Sequence, residues 1–178
     1  MSADDAGLVP ALVPVAEIVV RLGPSIDFGE TRDGRRRVTP ILGGELTWFG
    51  IGDGGGVGSV GGGAGVGAAS APHGLRDLRA RILPGGGDRQ LVRVDAATGD
   101  EIVEIDARYD AVAESGAPIG IRASGVRRRP SGEGGVYFRV ALRFETADPA
   151  LAELQNALFA ADGARLADEV RHTVYRVS

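Results

Sequence analysis

The chain has 178 residues, a net charge of −4, no cysteine, two histidines, and arginine as its only strongly basic residue. The absence of cysteine excludes disulfides, thiolate metal sites and a cysteine nucleophile, and the absence of lysine excludes a P-loop lysine and Schiff-base chemistry. The acidic balance argues against nucleic acid as a partner, while 43% hydrophobic and 25% charged residues suit one domain with its own core.

The first residues, Met1-Ser2-Ala3-Asp4-Asp5, are acidic where a signal peptide is basic. The apolar stretch from Leu8 to Val20 is interrupted by Pro10, Pro14 and Glu17 and is too short to span a bilayer. Residues 1–11 read as a tail, and a cytoplasmic location with no membrane partner is expected.

Strands are predicted over Val13–Leu22 and Val38–Phe49, with turns at Asp33-Gly34 and Gly43-Gly44. Trp48-Phe49 reads as packing. A glycine-rich insertion follows over residues 51–74; within Gly52 to Gly67, 10 of 16 residues are glycine. Such a run buries too little surface to offset its ordering entropy, so a flexible loop is expected. Its Gly56-Val57-Gly58-Ser59-Val60-Gly61 fits the dinucleotide fingerprint by accident, because more glycine follows where a helix is required.

Leu78–Leu83 and Gln90–Val94 read as strands around Pro84-Gly85-Gly86-Gly87-Asp88. Proline ends the pairing there, the glycines make a tight turn, and one carboxylate is delivered. Asp88 either caps its own turn or serves a site. Glu101 to Tyr109 alternates, Val103, Ile105 and Ala107 against Glu104, Asp106 and Arg108. Ile119–Val126 is a further strand. Tyr137 to Glu145 alternates cleanly, with Phe138, Val140, Leu142 and Phe144 opposite Tyr137, Arg139, Arg143 and Glu145. The polar faces either meet solvent or line a cavity that holds a small ligand.

Asp148-Pro149 starts a short helix, with Leu151 and Leu154 on one face and an end near Asn156. Leu158 to Ala161 then opens a hairpin turning at Asp162-Gly163, and Val170–Val177 closes the chain, with His172 in a strand. Most of the side chains in Arg35-Arg36-Arg37 and Arg127-Arg128-Arg129 read as solvated charge beside turns. Many short strands at this spacing predict an all-β fold. The expectation is a single antiparallel β-barrel of about eight to ten strands over residues 12–177, with one short helix near the C-terminus.

In order, Thr31-x-x-Gly34-Arg35-Arg36, Pro40-Ile41-Leu42-Gly43-Gly44, Leu83-Pro84-Gly85-Gly86-x-Asp88, Tyr137-Phe138-Arg139, Phe144-Glu145-Thr146, Leu154-x-Asn156 and Val174-Tyr175-x-Val177 form a set. That set resembles the family called domain of unknown function 3237, from about Leu12 to Val177. The resemblance implies an antiparallel β-barrel, often dimeric, whose motif residues gather in or near a cavity. Two departures stand out. Arg89 occupies the position after Asp88 where the family has tryptophan, and the glycine-rich insertion replaces a short connection.

With the motifs, the resemblance favours the site reading of Asp88. The expectation is a cofactor-independent acid–base enzyme of isomerase, lyase or cyclase type, acting on a small oxygenated metabolite in the barrel cavity. Asp88 and Glu145 are its expected proton carriers, and Arg36, Tyr109, Arg139 and Asn156 its substrate-binding residues. No cofactor and no metal are expected. A homodimer is expected, and the alternatives are a non-catalytic, lipocalin-like binding barrel and a structural dimer module.

Overall fold

A computed structural model describes residues 9–49, 75 and 77–178. The glycine-rich segment expected over 51–74, His73 within it, and most of the expected tail lie outside the described residues. No described helix is long and apolar enough to cross a membrane.

The structure is an antiparallel barrel of ten strands: β1 (Leu12–Leu22), β2 (Ile26–Thr31), β3 (Gly34–Trp48), β4 (Arg79–Ile82), β5 (Gly87–Val94), β6 (Glu101–Ala113), β7 (Pro118–Arg129), β8 (Tyr137–Glu145), β9 (Leu158–Arg165) and β10 (Glu169–Val177). Pairing runs β1-β10-β9-β8-β7-β6, β5 bridges β6 to β3, and β3 pairs with β1 to close the ring. Eight strands thus make the wall, and β2 and β4 are additional. Closure removes the open edges that an isolated sheet would expose.

β3 holds the barrel together. Its first half pairs with β2 and β5, and its second half with β1 and β4. Thr39, Ile41 and Gly43 are buried in the first half, and Leu46 and Trp48 in the second, so the inward phase changes from odd to even positions at Gly43-Gly44. Gly44 has φ +146°, and a Cβ there would lie 2.0 Å from the Val19 carbonyl oxygen. The predicted turn at Gly43-Gly44 is therefore a bulge inside a continuous strand, where backbones approach too closely for a side chain.

The interior has a packed end. Trp48 and Phe159 meet edge-to-face at 5.6 Å between ring centres, and Phe144 meets Phe159 at 5.3 Å. The β8–β9 connection lies here. It holds a 3-10 turn, Pro149–Leu151, capped by the Asp148 carboxylate, and a helix, α1 (Glu153–Asn156), with Leu151 and Leu154 in the same apolar cluster. The expected hairpin turn at Asp162-Gly163 is not formed. Those residues lie within β9 and pair with Thr173 and His172 of β10. Gly163 sits under the Phe138 ring, where a Cβ would come within 2.6 Å of a ring carbon.

Candidate functional site

The opposite end of the interior is not filled. It holds a cavity of about 150 Å³. Small side chains create it: Ala107 and Ala123 are register partners on β6 and β7, and both line the space. Ile41, Ile105, Phe138 and Val170 supply the apolar wall. Asp88, Gln90, Arg37, Arg127, Arg165, Tyr109 and His172 supply the polar one.

Asp88 reaches this cavity because of the turn before it. Gly86 packs against β6 so closely that a Cβ there would lie 2.6 Å from both the Arg108 carbonyl oxygen and the Tyr109 Cβ. Its carbonyl oxygen accepts from the Ile41 amide at 2.9 Å. Asp88 then pairs with Thr39 on one side and Ala107 on the other, all three on the inner face. The Gln90 amide donates to Asp88 Oδ2, and Arg37 Nε donates to Gln90 Oε1 at 2.6 Å. Asp88 Oδ1 is shielded from water and has no partner. Burial raises the Asp88 carboxyl above the usual carboxylate range; the hydrogen bond from Gln90, the nearby Asp106 backbone and the charges of Arg37 and Arg165 oppose that only in part.

Tyr109 lies two residues further along β6 than Ala107, on the same inner face. Its hydroxyl is buried without a partner, and burial, followed by the charge of Asp88, raises its pKa. His172 is 5% exposed, packs edge-to-face on Phe138 at 5.4 Å and leaves Nδ1 unpartnered. Burial lowers it to about 4, with Asp162 opposing. It is neutral at physiological pH.

Three guanidiniums ring the cavity at the rim, where β3, β7 and β9 carry Arg37, Arg127 and Arg165. Arg127 meets Glu101 at 3.4 Å, yet its Nε is buried and unpartnered. Burial lowers the pKa of Arg127; Glu101 opposes this, and the charges of Arg37, Arg129 and Arg165 add to it. Burial also lowers Arg165, reinforced by Arg37 and opposed by Asp88 and Asp168.

Of the six expected site residues, the fold brings two into this cavity, Asp88 and Tyr109. The other four lie outside it. Glu145 and Arg139 occupy the exposed face of β8, and Arg139 is spent on Asp162 and on the Tyr137 ring, 5.2 Å away. Arg36 points out beside Asp33 at 4.0 Å, and Asn156 is exposed at the end of α1. The polar faces of β6 and β8 meet solvent, because the alternate residues Val103, Ile105, Ala107, Phe138, Val140, Leu142 and Phe144 are buried. The expected grouping of Asp88 with Glu145 is therefore not formed. Within the arginine triplets, Arg37 and Arg127 line the cavity.

A larger depression of about 1150 Å³ lies on the outer wall beside Glu145, Arg143 and Leu158. It is open, and those three residues are exposed, so water screens their charges. The interior cavity is the better site, because Tyr109 and His172 are buried in its lining and charges and dipoles act strongly where water is excluded. Among the described residues no three of His, Asp and Glu gather closely enough to hold a metal ion.

Solved structures of similar proteins share this barrel. A UPF0311 protein of Rhodopseudomonas palustris is 30% identical over 175 residues, spanning 92% of this chain and 94% of that protein. The crystal structure of a conserved protein of unknown function from the same species superposes with a TM-score of 0.71 at 28% identity, over 96% of this chain and 99% of that one. A β-barrel like protein from Acinetobacter baumannii gives 0.73 at 25%, over 98% and 100%. An enzyme from Penicillium herquei gives 0.58 at 14%, over 98% of each chain, a likeness of fold alone. Residues 10–177 match the family described as "Protein of unknown function (DUF3237)", and the chain belongs to that family.

Proposed function

We propose that the cavity is the active site of a cofactor-independent enzyme that moves a proton on a small oxygenated metabolite. The observation that carries this reading is Asp88 Oδ1, a buried carboxyl oxygen with no partner, on a residue that lines the same cavity as a second buried and unpartnered group, the Tyr109 hydroxyl. A raised carboxyl accepts a proton more readily than an ordinary one and can give it back.

The chemistry closes on itself. Asp88 Oδ1 takes a proton from a carbon beside a carbonyl, the electron pair moves to the carbonyl oxygen, and the Tyr109 hydroxyl donates a hydrogen bond to that oxygen. The protonated Asp88 returns the proton to a different atom, which completes an isomerisation. Gln90 holds Oδ2 and leaves Oδ1 for the substrate. Glu145, on the outer face, has no part in this scheme. A carrier lined by apolar groups fits less well, because the cavity carries six polar or charged side chains on β3, β5, β6 and β7 alone: Arg37, Thr39, Asp88, Gln90, Tyr109 and Arg127.

The test is proton exchange. Small ketones such as acetophenone, incubated in heavy water, should gain deuterium beside the carbonyl faster with the protein than without it. Asp88→Asn should cut that rate roughly 10²- to 10⁴-fold. Catalysed exchange that survives this substitution at the wild-type rate would remove Asp88 from the role.

A further inference from the structure

We propose, building on the reading of the cavity as an active site, that its substrates are small carboxylates, held by the Arg127 and Arg165 guanidiniums at the rim.

Arg37, Arg127 and Arg165 all line the one cavity, and the carboxylate on the same lining is Asp88. Of the three, Arg127 alone has a carboxylate in ion-pair contact, and that contact uses an Nη. Among the described residues Arg165 makes no ion pair or side-chain hydrogen bond, and Arg37 commits only Nε, to Gln90. Glu101, the partner of Arg127, is shared with Arg129 at 3.1 Å. Bringing guanidiniums together in a partly dry space costs free energy through like-charge repulsion and desolvation. An anion bound between them removes that cost, and a guanidinium presents two parallel donors that match a carboxylate.

Position supports the assignment. Arg37 and Gln90 are register partners, as are Thr39 and Asp88, and the two pairs are separated by two residues along the strands. That spacing is about 7 Å. A substrate anchored by its carboxylate at the rim would extend its remaining atoms inward to Asp88 and Tyr109. Ala107 and Ala123 leave room for it, and a cavity of 150 Å³ accepts a body the size of a benzene ring.

Benzoate and its neutral isostere benzamide are the probes, with binding followed by calorimetry. Wild-type protein should bind benzoate at least about tenfold more tightly than benzamide. Arg165→Gln and Arg127→Gln should each weaken benzoate by about tenfold, the worth of a charge-assisted hydrogen bond, and leave benzamide unchanged. Asp88→Asn should bind benzoate at least as well as wild type. Equal affinity for the two probes, no benzoate binding, or benzoate affinity kept within twofold in both arginine variants overturns the inference. If an arginine variant fails to fold, the wild-type comparison of the two probes still decides. Arginine-dependent benzoate binding in a protein whose proton exchange ignores Asp88→Asn upholds the anion site and removes the proton-transfer reading alone.

Discussion

The two ends of the barrel interior are built by the same strands with the same alternation, yet one is solid and the other hollow. At the packed end the inward positions carry Trp48, Phe144 and Phe159, whose rings interlock edge-to-face. At the rim end the corresponding positions carry Ala107, Ala123, Asp88 and three arginines. Period-two patterning decides which side chains enter, and their size and charge decide whether the space closes. The packed end supplies the stability that lets the hollow end hold groups that oppose folding.

Six substitutions would break or sharpen that contrast, the largest effect first. Asp88→Asn should lower proton exchange by roughly 10²- to 10⁴-fold and at the same time stabilise the fold near neutral pH. Burial raises this carboxyl, so the folded state binds its proton more tightly than the unfolded chain. Its contribution is whole below the ordinary aspartate value and is lost as pH rises through the higher folded one. Asparagine cannot ionise and escapes that loss. Thermal melts should place the variant above wild type at about pH 7 and close the gap near pH 4. A lower melting temperature at pH 7 would show that the charge is welcome where it sits.

Trp48→Ala should cost about 3–5 kcal/mol in urea titrations, because it opens a void in the packed end. Ala123→Leu at the hollow end should cost under about 1.5 kcal/mol, or stabilise, while abolishing benzoate binding. Equal penalties would mean that the cavity is already filled by relaxation of its walls. His172 gives the next effect. Its pKa falls from 6.5 to about 4 in the folded state, so the unfolded chain binds the extra proton in that window. Stability is present above pH 6.5 and falls as pH drops towards 4, by up to about 3 kcal/mol. The pH dependence of the urea midpoint should flatten in His172→Gln over that range. The smallest effect belongs to the outer face. Arg139→Ala and Glu145→Gln should each shift stability by less than about 1 kcal/mol and leave benzoate affinity unchanged. A tenfold loss of affinity in either would move the site to the outer wall.

The barrel was legible in the sequence because alternation is local. Tyr137 to Glu145 shows its buried and exposed faces without help from any other strand. β2 carries no such signal, because Ile26 and Phe28 are exposed in it and no inward face marks it. The far half of β9 is hidden in the sequence, because Asp162-Gly163 is a turn pair in isolation and a strand only beneath Phe138.

The site was harder to read, for a different reason. Period two from Ile41 leads through Thr39 to Arg37, from Ile121 through Ala123 to Arg127, and from Val174 to His172. That signal was present. The short ordered motifs instead contain Arg36, Arg139, Glu145 and Asn156, which face out or lie beyond the strands. Arg165 follows from Phe159 and Ala161 only once β9 is known to be continuous.

One strand, β3, walls both ends: Arg37, Thr39 and Ile41 face the cavity, and Leu46 and Trp48 face the solid core. The hollow end therefore has no foldon of its own, and whatever grips it must report to the whole molecule. A ligand present at a hundred times its dissociation constant adds about 2.7 kcal/mol to global unfolding. In a domain of this size that is a rise of roughly 5–10 °C in melting temperature. A heat ramp over a library of small acids can thus search for the natural substrate before any reaction is known.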